Sequence, residues 1–136
     1  MVKQYEIELP FFNRGYHLIT GIIEKNIRDL PEQGMLNLFL RHTSAALTIN
    51  ENADPDVPRD MEYLLDKLVP EDDPGYMHTI EGPDDMPAHI KSSILSVSLT
   101  IPVTRKRLSL GTWQGLYLCE FRNSGGRRKL TATVYS

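Results

Sequence analysis

Apolar and polar positions alternate through residues 2–10, where Lys3, Tyr5, Ile7 and Leu9 oppose Val2, Gln4, Glu6 and Glu8. A period of two predicts a half-buried strand, and residues 14–18 extend the sheet after a loop. The period then lengthens. Ile22, Ile23 and Ile27 form the apolar stripe of a helix over residues 21–30, with Thr20 as its cap and Pro31 as its stop. Residues 35–41 and 46–50 are rich in side chains that suit a pleated surface and read as two strands. The segment between them would form the polar rim of a hairpin. Asp54, Pro55 and Pro58 mark a helix start, since Asp accepts free backbone N–H groups and Pro is tolerated in the first turn. Val57, Met61, Leu64, Leu65 and Leu68 recur at helical spacing until Pro70.

Residues 71–85 are acidic and irregular, and another short helix starts at Asp85 and runs through Ser93. The last third is strand-rich, over residues 95–103, 107–110, 113–122 and 127–135, with Ser124, Gly125 and Gly126 as a hairpin turn before the final strand. This order of elements predicts an α+β fold with an antiparallel sheet and helices on one side. At 136 residues and 40% hydrophobic content the chain suits one domain, residues 1–136, with a modest core. A net charge of −3 argues against a nucleic-acid partner, whose affinity would come from neutralising phosphates. The single Cys119 forms no internal disulfide, and no charged and apolar leader opens the chain, so a cytoplasmic location is expected. No apolar run approaches the roughly 20 residues of a membrane span.

Polar chemistry is concentrated in three clusters, which hold three of the four histidines. In the third, His78, Glu81, Asp84, Asp85 and His89 combine imidazole with carboxylate, a set suited to Zn²⁺ or Mn²⁺, or to Mg²⁺ with a substrate phosphate. Alternatively, a loop His bonds a carbonyl, and Asp84 or Asp85 caps the helix. In the first cluster, His42, Thr43 and Ser44 offer a base and two hydroxyls. A Ser–His hydrolase also needs an orienting acid and an oxyanion hole, and the sequence shows neither, so the cluster reads as a rim holding phosphate oxygens, or as a simple polar turn. In the second, Asn50 and Glu51 end a strand; Glu51 is the better catalytic candidate because Asp54 has a capping role available. Alternation over residues 113–122 places Gln114, Glu120 and Arg122 on one face, as a pocket wall or as an ion pair. The other face carries Trp113, Tyr117, Cys119 and Phe121. Lys91 follows His89 by two residues inside the helix, near an N-terminus that favours anions, or on a solvated face. Arg127, Arg128 and Lys129 read as a charged edge with no part in a site.

Taken together, residues 15–20, the block HTSAALTINENADPDV (42–57), HTIEGPDDMPAHIKSS (78–93), SLTIP (98–102) and LSLGTWQGLYLCEFR (108–122) resemble the YjbQ-like family, also called secondary thiamine-phosphate synthases. The chain departs from the pattern at Ser96 and Lys106, where glycine is expected in many relatives, which bears on turn geometry. The resemblance implies antiparallel sheets packed around a threefold axis in a homotrimer, with a polar pocket near a subunit boundary. It implies a metal-assisted transferase that joins a pyrimidine diphosphate to a thiazole phosphate, with a divalent metal, zinc or magnesium, stabilising the departing pyrophosphate. The alternatives are a trimeric protein that binds a phosphorylated small molecule or a metal without chemistry, or a metal-dependent phosphoester hydrolase. By matching motifs, Glu51, Asp54, Glu120 and His42 become catalytic candidates, and Thr43, Ser44, Asn50, Lys91, Gln114 and Arg122 become substrate-binding candidates. Metal candidates are His42, His78, His89, Glu81, Asp84 and Asp85, with the three imidazoles expected to converge on one cation or anion.

Overall fold

A computed structural model describes residues 1–136. In chain order the elements are β1 (Val2–Glu8), β2 (Gly15–Leu18), α1 (Thr20–Asn26), β3 (Gln33–Leu40), β4 (Ala45–Glu51), α2 (Asp56–Leu68) and α3 (Asp85–Leu95). They are followed by β5 (Ser98–Thr104), β6 (Arg107–Leu108), β7 (Gln114–Glu120) and β8 (Lys129–Tyr135). The strands form two sheets, the layers that the resemblance implies where the order of elements alone suggested one: a five-stranded sheet ordered β1-β8-β3-β5-β6, and a three-stranded one ordered β2-β7-β4. Every pairing is antiparallel. Two expected hairpins are therefore absent. Strands β3 and β4 lie in different sheets, as do β7 and β8, so the polar segments 41–44 and 121–128 are crossovers between the sheets.

The alternation explains the layering. Leu36, Leu38 and Leu40 of β3 meet Leu116 and Leu118 of β7 in one cluster of 17 buried residues between the sheets, closed at one end by Ile19, Ile23 and Ile27 around α1. Each such side chain contributes about 1.5–3 kcal/mol by leaving water. The opposite parity of β7 places Tyr117, Cys119 and Phe121 on the outer face of the small sheet, where they pack with Ala46 and with Ala88 of α3. This second, smaller core presses α3 against β4 and so sets the position of its polar first turn.

The helices differ from expectation in three ways. Helix α1 stops at Asn26, and Thr20 does not cap it; its hydroxyl oxygen accepts the Leu116 backbone N–H at 2.9 Å, tying α1 to β7. Helix α2 has the expected amphipathic spacing but no buried residue, with Leu64 and Leu68 exposed. Its stripe is half-buried at Val57, Met61 and Leu65, and Asp66 ties it to the rest of the chain by accepting from Arg14 and from Lys91. No helix is long and apolar enough to cross a membrane.

Both predicted glycine-like positions have positive φ: Ser96 at 114° and Lys106 at 63°. Ser96 ends α3, and Lys106 sits with Arg105 in the two-residue turn between β5 and β6. L-residues are strained in these conformations, which is why glycine suits them.

Candidate metal centre

The irregular segment after α2 carries His78 and Glu81 to the first turn of α3, where Asp85 and His89 stand one helical turn apart on the same face. One potential ligand atom from each of these four residues lies within 4.8 Å of the others. The His78 Nε2 to Asp85 Oδ2 distance is 2.6 Å, and the His89 Nε2 to the same oxygen is 3.0 Å. His78 Nε2 is also 3.3 Å from Glu81 Oε2. Asp85 is buried, whereas His78 and Glu81 are open to solvent, so the cluster has a closed floor and an accessible side.

The hydrogen bonds behind the cluster fix its chemistry. His89 Nδ1 lies 2.8 Å from the Thr43 carbonyl oxygen, and a carbonyl only accepts, so Nδ1 carries the proton. In the neutral ring Nε2 then offers a lone pair toward Asp85. Arg122 donates from Nη1 to Asp85 Oδ1 at 2.6 Å, which leaves Oδ2 to the histidines. The same guanidinium donates from Nε to Asp84 Oδ2 and from Nη2 to the Glu81 carbonyl, so one arginine braces both ends of the loop. Burial pushes the Asp85 carboxyl up, but the hydrogen bond with His78 and the Arg122 charge outweigh it and hold the group well below the usual carboxylate range. The hydrogen bond with Asp85 in turn raises the His78 pKa.

Several candidate residues lie elsewhere or are already engaged. His42 is outside the cluster, and its Nε2 accepts the Lys129 backbone N–H at 2.8 Å, so that nitrogen is not free as ligand or base. Asp84 is also outside; Arg122 and the Asn123 N–H occupy it, and neither Asp84 nor Asp85 makes a side-chain cap on α3. Arg122 is committed to these acids rather than waiting for a phosphate.

Glu120, a catalytic candidate, is buried and takes the Arg128 fork on both oxygens, at 2.7 and 2.5 Å. The same arginine donates to Ser44 Oγ, and Ser44 is buried, so its oxygen is engaged within the fold. Glu51 and Asp54 form a local turn: Glu51 Oε2 accepts the Asp54 N–H and Asp54 Oδ1 accepts the Asp56 N–H. Asn50 Oδ1 accepts the Glu51 N–H, and Gln114 Oε1 accepts the Gly111 N–H. The register pairs Glu51 with Gln114 and Ala45 with Glu120, so Glu51 and Glu120 stand at opposite ends of the ladder, about 20 Å apart. They do not share a site. Lys91 is buried rather than solvated, donating to Asp66 at 2.5 Å with its Nζ 5.6 Å from the Phe121 ring centre.

Three participants escaped the sequence reasoning. Arg128 has the same parity as the buried Leu130, Ala132 and Val134, a signal that it faces inward rather than lying on an exposed edge. Asp66 carried no such mark, and the Thr43 carbonyl carries no residue-type signal at all.

These observations define a two-sheet antiparallel α+β protein with a histidine–carboxylate cluster at the start of a helix packed on the smaller sheet. The chain belongs to the UPF0047 protein YjbQ-like family, whose model matches residues 5–136. It is 56% identical over 136 residues to the UPF0047 protein YjbQ of Salmonella typhimurium, covering 98% of both chains. The UPF0047 protein YugU of Bacillus subtilis is 46% identical over 104 residues, 76% of each chain. A conserved hypothetical protein from Thermus thermophilus superposes with a TM-score of 0.82 at 33% identity, covering 96% of this chain and 98% of that one. A protein from Sulfolobus solfataricus gives 0.87 at 20% identity, covering 98% and 96%, which shows the fold alone. The expected thiamine-phosphate synthase activity is overturned by these comparisons: the family bears a UPF designation, its relatives' names assign no reaction, and the Sulfolobus protein is described as a YbjQ-like protein of unknown function.

Proposed function

We propose that the protein binds one divalent transition metal through His78, Glu81, Asp85 and His89. The observation that carries this reading is the opposed pair at the centre of the cluster. Thr43 holds the proton on His89 Nδ1, so the neutral ring presents a lone pair 3.0 Å from a carboxylate oxygen. A cation between them converts that repulsion into two bonds. The pattern of an imidazole whose outer N–H is anchored on a backbone carbonyl is the usual support for a metal-bound histidine. Two imidazoles and two carboxylates favour Zn²⁺ or Mn²⁺ over Mg²⁺, which prefers oxygen and water. When bound, such an ion supplies Lewis-acid activation of an oxygen ligand on the open side.

The test is direct. Chelator-stripped protein titrated calorimetrically with Zn²⁺, Mn²⁺ and Mg²⁺ should take up one zinc or manganese per chain and show little response to magnesium. His89→Ala should abolish the uptake. Absence of stoichiometric uptake, or equal uptake by His89→Ala, sinks the reading.

A second reading concerns assembly. No helix covers the outer face of the five-stranded sheet, where Val2, Tyr135 and Met35 stand in one cross-strand row, each about half exposed. Such a row supports self-association, and the resemblance supplies the threefold arrangement. Sedimentation equilibrium should give three times the 15.5 kDa chain mass; a monomer at working concentration refutes it.

A further inference from the structure

Beside the metal cluster lies an open cavity of about 640 Å³ between the β3–β4 crossover and the far end of α3. Arg41, His42 and Thr43 form one wall, His89, Ser92, Ser93 and Ser96 another, and Phe39, Leu40 and Val97 supply an apolar strip. No carboxylate lines it, in a chain whose net charge is −3. The polar side chains that line it can all donate hydrogen bonds. Because His42 Nε2 accepts from Lys129, the proton of the neutral ring sits on Nδ1, which makes no hydrogen bond within the chain. The Thr43 and Ser93 hydroxyls are likewise uncommitted. The Arg41 side chain has one ion-pair partner, Glu6 at 3.3 Å, and both side chains are more than half exposed. Exposed pairs of this kind hold by about 1 kcal/mol or less, so the guanidinium is free to change partner. The local field has the same sign: burial, then Arg128, Lys129 and Arg41, lower the His42 pKa against a smaller opposing effect from Glu120.

We propose that this cavity binds the oxyanion head of a small organic acid, a phosphate or a carboxylate, through Arg41, the His42 Nδ1–H and the Ser93 hydroxyl. The apolar body of the ligand would lie along Phe39 and Val97. His89 borders both the cavity and the metal cluster, so a bound ligand lies next to the metal; the proposal depends on the metal reading for that adjacency alone. A donor-lined, carboxylate-free hollow beside an acid-rich cluster separates the two charges that an anionic ligand and a cation would bring.

The experiment uses the full chain, in chelator-stripped and zinc-loaded forms, titrated with phenyl phosphate, benzoate and neutral benzyl alcohol. Calorimetry reads affinity, and nitrogen-15 NMR of the His42 ring reads location. At least one of the two anions should bind and shift the His42 signals, the tighter identifying the head group, while benzyl alcohol should not bind. Arg41→Gln should weaken the anion on the order of tenfold, the loss of one charged hydrogen bond, and Ser93→Ala should weaken it further. Both residues are exposed, so neither variant threatens the fold. Equal binding of the alcohol, unmoved His42 signals, or an affinity untouched by the double variant overturns the proposal. Failure of zinc uptake with anion binding intact in the stripped protein overturns the metal reading only.

Discussion

The Glu120–Arg128 pair and the His78–Asp85–His89 cluster use similar side chains and are anchored on adjacent residues of one crossover, Ser44 and Thr43. They differ in how donors match acceptors. Both Glu120 oxygens receive Arg128, whose Nη2 also reaches the Ser44 carbonyl and hydroxyl oxygens, and the whole pair is buried. In the other cluster two imidazole nitrogens converge on one oxygen of Asp85, and a neutral His89 has no proton to offer it. A matched, sealed pair locks two sheets together. An excess of acceptors open to solvent is what the proposed cation would offset.

The largest consequence of this difference belongs to the lock. Glu120→Ala leaves Arg128 buried without its counter-charge and should cost about 3–5 kcal/mol in urea unfolding, while the histidine cluster keeps its zinc uptake. Gly125→Ala should act in the same direction, because a Cβ there overlaps the Glu120 carboxylate. A loss below about 1 kcal/mol for Glu120→Ala would mean that the pair is not closed as described.

At the open cluster, zinc at a hundredfold excess over its dissociation constant should stabilise the protein by about 2.7 kcal/mol through mass action. Asp85→Asn keeps an acceptor for Arg122 but removes the anionic ligand, and thermal melts of this variant should show no zinc-dependent shift. A shift equal to that of the unchanged chain would exclude Asp85 as a ligand.

The two histidines His78 and His42 should respond to pH with opposite signs. His78 has a folded pKa raised above 6.5, so in the stripped protein its contribution is fully present below 6.5 and is lost as pH rises through the folded value. His42 has a folded pKa below 6.5, so its contribution is present above 6.5 and is lost as pH falls through the folded value. Urea titrations between about pH 5 and pH 8 should show His78→Gln removing the alkaline decline and His42→Gln the acidic one. The same slope change in both variants would contradict the opposite local fields.

The smallest effect is expected away from both clusters. Lys106→Gly relieves a left-handed φ and should stabilise by about 1 kcal/mol. Ser96→Gly should gain less, because the Ser96 hydroxyl accepts the Ser98 N–H and donates to the Ser98 carbonyl. Destabilisation by Lys106→Gly would show that its side chain matters more than its backbone strain.

Strand positions were legible because burial on one face of a sheet leaves a period of two; β7 even displays both of its cores, Leu116 and Leu118 on one parity and Tyr117 and Cys119 on the other. The same rule applied to β8 would have turned Arg128 inward. The third polar cluster was legible as a set of ligand types, since His89 and Asp85 share a helix face whatever packs around them. The local bonds of Glu51, Asp54 and Asn50 were not legible, because a carboxylate or amide that bonds its own turn looks the same in sequence as one awaiting a substrate.

By itself the sequence determined most of the elements and the inward faces of the strands, because these follow from local periodicity, while the resemblance marked the two glycine-like positions at Ser96 and Lys106. Tertiary structure decided which strands share each of the two sheets, that Glu120 meets Arg128 rather than Glu51, and that Thr43 sets the proton on His89. Those outcomes depend on which crossover passes which strand end, and on single hydrogen bonds between residues distant in the chain. Such contacts leave no period behind them.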